Sequence, residues 1–260
     1  MTGADPRALV EALNDWALGA DWVDWVEIGG SIGRGAGDEL SDVDAGIGVD
    51  ALAEHPGRID QARTAISAFA PVAASLTQPM GDAVHLVCVY EDGRQLSLVV
   101  FDAEARQGLP PQAVATVDKS GRLSRTLDRG RWDADDATVR EWAFLAWIAI
   151  GDAARHRLRG RTWRALHALT EARDHLWKLW AHADGLTYPM FGAITVENAD
   201  AALPEGIEQT HPADLGTASI HHALTALTRL LEPYTAGDLE ALATTIRRRL
   251  ALLEDQGTTA

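Results

Sequence analysis

The chain has a single cysteine, Cys88, and two lysines, Lys119 and Lys178, among its 260 residues. One thiol excludes an intrachain disulfide framework and any zinc site built on several cysteines. Cys88 lies in the apolar run Val84–Tyr90, where a free thiol behaves as a small core hydrophobe. Basic residues are also short: 23 Lys and Arg stand against 38 Asp and Glu, a net charge of −15. A surface that binds nucleic acid generally needs a broad cationic excess, so that class is set aside. A focused site for one anionic ligand survives this argument, because local charge can oppose net charge. Long hydrophobic runs are missing as well. The longest, Ala143–Gly151, is too short to span a bilayer. The N-terminal stretch carries Asp5 and Glu11 with no apolar core segment, so no secretory signal is expected and the expected location is cytoplasmic.

What is present reads as two halves. Apolar residues make up 47% of the chain, enough for each half to bury a core. Pro6 to Ala20 has Leu9, Leu13 and Ala17 at helical spacing, with Asp5 as the expected N-cap and Pro6 as the first helical residue. Trp22 to Ile28 reads as a strand running into Gly29-Gly30, and Val43 to Val49 as a second strand. A helix is expected over Arg58 to Ala70, stopped by Pro71. Val84–Tyr90 and Gln95–Phe101 flank Asp92-Gly93, a hairpin signal, and Ala113 to Val117 is a last short strand. From Arg131 onward the pattern is helical: about 134–158, 162–183, 217–231 and 237–254, with a loop-rich stretch over 186–216. The expected fold class is α+β. A mixed sheet with helices fills residues 1–130, and a helical bundle fills 131–260.

One segment concentrates chemistry: Gly29-Gly30-Ser31-Ile32-Gly33-Arg34-Gly35, followed by Ser41-Asp42-Val43-Asp44. Glycines there let a ligand approach the backbone closely. A helical turn opening at Ser31 would aim free N–H groups at an anion, and Arg34 adds a charge-assisted bond to phosphate. Asp42 and Asp44 are two apart on a strand, so their side chains share a face. Two carboxylates on one face repel unless a cation lies between them, and Mg²⁺ favours one or two carboxylates plus phosphate and water. Each half of the pattern alone is commonly structural; the joint pattern between two apolar strands is far more specific.

The stretch GGSIGRGAGDELSDVDAGI, Gly29 to Ile47, resembles the signature of the nucleotidyltransferase superfamily with a polymerase-β-like fold. The helical half is similar, in architecture only, to the bundle that follows this domain in aminoglycoside and lincosamide nucleotidyltransferases. The resemblance implies that Gly30, Ser31 and Arg34 hold the triphosphate of ATP or another NTP. It implies that Asp42 and Asp44 hold Mg²⁺ and carry catalysis. The acceptor would be a hydroxyl of a small molecule, with an antibiotic as the family-based expectation. Members of the family carry a third carboxylate on a later strand, and the aligned position here is Ser97. Asp102 and Glu91 in the first half, and Glu141 and Asp136 in the second, are the candidates to replace it. Arg155, Arg157, Arg159, Arg161 and Arg164 form the one basic cluster. It reads either as a phosphate contact or as a helix end with a solvated loop.

Overall fold

The computed structural model describes residues 5–257, and contacts divide the chain into two compact units, Met1–Arg129 and Gly130–Ala260. The first unit runs α1 (Arg7–Gly19), β1 (Val23–Ile28), the single turn α2 (Gly30–Gly33), β2 (Val43–Val49), α3 (Gly57–Ile66), β3 (Val72–Met80), β4 (Ala83–Tyr90), β5 (Gln95–Asp102) and β6 (Val114–Asp118). The six strands form one sheet in the order β3-β4-β5-β2-β1-β6. Only the central β2–β5 pair is parallel; the other four pairs are antiparallel.

Strand alternation sorts this sheet into two faces. One face carries Val26, Ile28, Val43, Ala45, Ile47, Leu86, Cys88, Leu96 and Leu98, all buried. Against them pack Leu9, Leu13 and Ala17 of α1 and Ala62 and Ile66 of α3. The Tyr90 hydroxyl donates to the Ile66 carbonyl at 2.7 Å, tying the end of α3 to the sheet. The opposite face holds a smaller apolar group around Trp25, Ala103 and Leu123, and leaves room for polar side chains.

The second unit contains α4 (Asp136–Leu158), α5 (Thr162–Ala183), α6 (Ala193–Asn198), α7 (Thr217–Leu231) and α8 (Leu239–Gly257). Asp135 caps α4, its carboxylate accepting from Thr138 N at 2.8 Å. Short residues of α4 (Ala143, Ala146, Ala149, Ala153) meet Ala168 and Ala172 of α5 in one core, which lets the two helices approach closely. Trp147 is fully buried there, and its indole N–H donates to Thr235 Oγ1 at 2.9 Å. No helix of the described residues is long and apolar enough to cross a membrane.

The α+β class is as expected, and most elements fall where the periodicity puts them. Five details differ. β3 was not anticipated: its segment lacks alternation and contains Pro79, and it forms as an exposed edge strand, where such residues are tolerated. α3 ends at Ile66, four residues short of the expected end. Pro6 occupies the N-cap of α1, while Asp5 accepts from Arg7 N at 2.9 Å. The stretch over 186–216 holds the short helix α6. The last helix extends beyond the expected residue 254.

Candidate functional site

The glycine-rich turn and the carboxylate pair meet at one end of the sheet. β1 ends at Ile28, and Gly29 N donates to the Asp44 carbonyl at 2.8 Å, which brings the turn beside the start of β2. Gly30 has φ of +58°, a conformation that favours glycine, and a Cβ there would overlap the Asp44 carboxylate. The turn can therefore lie against Asp44 only because residue 30 has no side chain. α2 opens at Gly30, and the first bond within it joins Gly33 N to the Gly29 carbonyl at 2.7 Å. The N–H groups of Ser31 and Ile32 precede that bond and have no acceptor inside the turn. Ser31 Oγ donates to Ser41 Oγ at 2.9 Å, and Ser41 Oγ donates in turn to Asp38 at 3.1 Å. This chain of hydroxyls fastens the loop between α2 and β2.

Asp42 is exposed and Asp44 half-buried. The Asp44 carboxyl is pushed above the usual carboxylate range, first by burial and next by the negative charge of Asp42; His85 and Arg34 pull it partly back. Asp42, Asp44, Arg34 and His85 thus share one electrostatic neighbourhood. Among the described residues no group of three or more His, Cys, Asp or Glu side chains is placed to hold a metal ion. A carboxylate pair in which the charge of Asp42 raises the proton affinity of Asp44, beside a turn with free amides, fits a hard divalent cation whose remaining ligands are phosphate oxygens and water.

Parallel pairing puts Ser97 directly opposite Asp44. The residue aligned with the third carboxylate is therefore next to the metal-ligand candidate, and it is a serine. Its hydroxyl lies 2.8 Å from His85 Nε2. His85 was not among the candidates singled out from the sequence, although the hairpin register contained the signal. Val87 pairs with Ser97, so His85, two residues earlier on the same face, reaches it diagonally.

Within the first unit, Asp102 and Glu91 are not brought to Asp44. Asp102 pairs with Val49 at the far end of β5, about 16 Å of strand away from Ser97. Its carboxylate already accepts from Leu52 N at 3.1 Å and Glu104 N at 3.0 Å. Glu91 lies exposed in the β4–β5 turn, with its N–H bonded to the Pro71 carbonyl. Glu141 and Asp136 belong to α4 in the second unit, where both are exposed. In the basic cluster Arg155 pairs with Asp152 at 2.8 Å, and Arg157 donates to Thr162 and Thr217. Those bonds brace helix ends within the second unit. Of its tryptophans, Trp163 stands 75% exposed while Trp142 and Trp147 are core.

A different carboxylate, Glu27 of β1, is buried on the same sheet face as Asp44. Arg106 donates to its Oε1 at 2.8 Å, and Oε2 has no partner in the structure. Burial pushes the Glu27 carboxyl up, against the pull of Arg106.

No protein-family model matches the chain, and no curated protein matches it. Among solved structures it is similar to an aminoglycoside 6-adenyltransferase from Bacillus subtilis, with 12% identity, 95% of this chain and 92% of that chain covered, and a TM-score of 0.34. A likeness of that size carries no argument about function, which rests on the residues of the site.

Proposed function

We propose that the first unit is a Mg²⁺-dependent nucleotidyltransferase centre that moves a nucleoside monophosphate, AMP from ATP, to a hydroxyl of a small molecule. The observation that carries this reading is the seating of Gly30 against Asp44, which joins a phosphate-binding turn and a carboxylate pair in one site. Asp42 and Asp44 would hold Mg²⁺. When bound, the cation polarises a phosphoryl oxygen and offsets developing charge. The free amides of Ser31 and Ile32 and the Arg34 guanidinium are suited to the triphosphate oxygens. Ser31 has a hydroxyl proton to offer a phosphate in place of Ser41. The net charge of −15 permits a cationic acceptor, such as an aminoglycoside antibiotic. The second unit is assigned to the acceptor side, and the location to the cytoplasm.

A second reading, a nucleotide-binding protein without catalysis, is favoured by Ser97 at the position of a third carboxylate. Calorimetry of ATP with and without Mg²⁺ tests the site, and pyrophosphate release separates the two readings. The expected result is ATP binding that needs Mg²⁺ and is lost in Asp42→Asn, with transfer reduced by on the order of 10²–10³-fold or more. Mg²⁺-independent binding, or an unchanged Asp42→Asn variant, refutes the metal assignment.

A further inference from the structure

Strands β2, β5 and β4 are consecutive in the sheet, and they present Asp44, Ser97 and His85 on the same face. We infer that Ser97 and His85 together take the proton of the attacking hydroxyl, in place of a carboxylate at residue 97. The inference rests on the nucleotidyltransferase reading above.

Position comes first. Ser97 is in register with Asp44, so a hydroxyl activated beside the Asp42–Asp44 pair has Ser97 as its neighbour on the β5 side. Connectivity comes second. His85 Nε2 lies 2.8 Å from Ser97 Oγ, approaching from the strand on the side away from Asp44. A serine hydroxyl alone is a poor base, whereas an imidazole nitrogen is an effective general base. Ser97 bonds His85, the Asp44 carboxyl feels its charge together with those of Asp42 and Arg34, and Gln78, which does not titrate, pairs with it on β3. Among the described residues no carboxylate is hydrogen-bonded to His85. The pair therefore lacks the orienting acid of a Ser-His-Asp nucleophile and is suited to moving a proton instead.

The step balances as follows. The acceptor oxygen forms a bond to the α-phosphorus of ATP. The bond from that phosphorus to the bridging oxygen breaks, and its electron pair leaves with pyrophosphate. The acceptor's proton passes to Ser97 Oγ as the proton of Ser97 passes to His85 Nε2. Ser97 touches the reacting hydroxyl; His85 acts through it.

The test uses the full chain as wild type, His85→Gln, His85→Ala, Ser97→Ala and the double variant His85→Ala/Ser97→Asp. Gln retains a bond to Ser97 and cannot take the proton, so it separates basicity from support of the fold. Binding is read by calorimetry with Mg²⁺ and α,β-methylene-ATP. Turnover is read as pyrophosphate release from Mg·ATP with glycerol as the hydroxyl acceptor. Binding should stay within about twofold throughout, while turnover falls by roughly 10²–10³-fold in His85→Gln, His85→Ala and Ser97→Ala. Added imidazole should restore His85→Ala and leave Ser97→Ala unchanged. The double variant should recover much of the rate, because its carboxylate stands beside Asp44 and needs no relay. His85→Gln at the wild-type rate overturns the inference. So does a loss of turnover matched by an equal loss of binding, or a wild type that binds nucleotide and releases no pyrophosphate. A wild type that binds no Mg·nucleotide overturns instead the reading beneath it.

Discussion

In the helical unit the buried polar side chains among the described residues are Thr195, Thr210 and Thr228, and each hydroxyl donates to a carbonyl at most seven residues away. In the sheet unit they are Asp24 and Glu27, whose partners lie 79 to 98 residues away. Asp24 is saturated by Ser120 N, Ser120 Oγ and Arg122 Nε. Glu27 is only half satisfied, and Asp44 on the same face carries a charge that its surroundings resist. The three buried hydroxyls of the helical unit close locally, while its longer side chains such as Trp147 and Arg157 reach distant helices. A sheet face that holds carboxylates needs distant chain to close over them, so its stability follows pH and ions.

Three substitutions sharpen that contrast. The largest effect belongs to the helical core: Trp147→Ala removes a fully buried ring and should cost about 4 kcal/mol in denaturant unfolding, with little dependence on pH. Arg106→Ala leaves Glu27 buried without its cation and should cost about 3 kcal/mol at neutral pH. The Glu27 carboxyl is already raised from 4.5, so this penalty is absent below that value and grows as pH rises through the folded-state value. A flat pH dependence would show that Glu27 is not the charge responsible. The smallest effect has the opposite sign. Asp44→Asn should stabilise the Mg²⁺-free protein by about 1 kcal/mol or less, since the carboxyl is only half-buried. The gain should vanish below the ordinary value of 3.8 and appear as pH rises, and Mg²⁺ should shrink it by stabilising the wild type. A destabilised Asp44→Asn would mean that Asp44 supports the fold rather than awaiting a cation.

Much of this was legible in the sequence because the relevant signals are local. Leu9, Leu13 and Ala17 repeat every four residues, and β2 alternates so that Asp44 must face away from Val43 and Ala45. The turn at Gly30 and the carboxylates at 42 and 44 are fourteen residues apart at most, within reach of motif spacing. β3 escaped because an edge strand needs little apolar patterning: eight of its nine residues are exposed. His85 escaped because its meaning depends on two pairings at once, β4 with β5 and β5 with β2, and neither is written in the spacing between positions 85 and 44. Glu27 was hidden in a strand read only for its hydrophobicity, and its partner Arg106 arrives from a later turn.

Strand β2 has one more consequence. Its odd residues, Val43, Ala45, Ile47 and Val49, are core. Its even residues after Asp44 are Gly46 and Gly48. A Cβ on Gly46 would come within 2.9 Å of Glu27, and one on Gly48 would overlap the Trp25 ring. No position from 43 to 49 is left free to drift. Under saturation mutagenesis this strand should appear as an unbroken band of intolerance on both parities, where an ordinary half-buried strand shows an alternating one. Sequence change elsewhere in the fold can accumulate around it, so this strand should be the last part of the chain to lose its likeness to a distant relative.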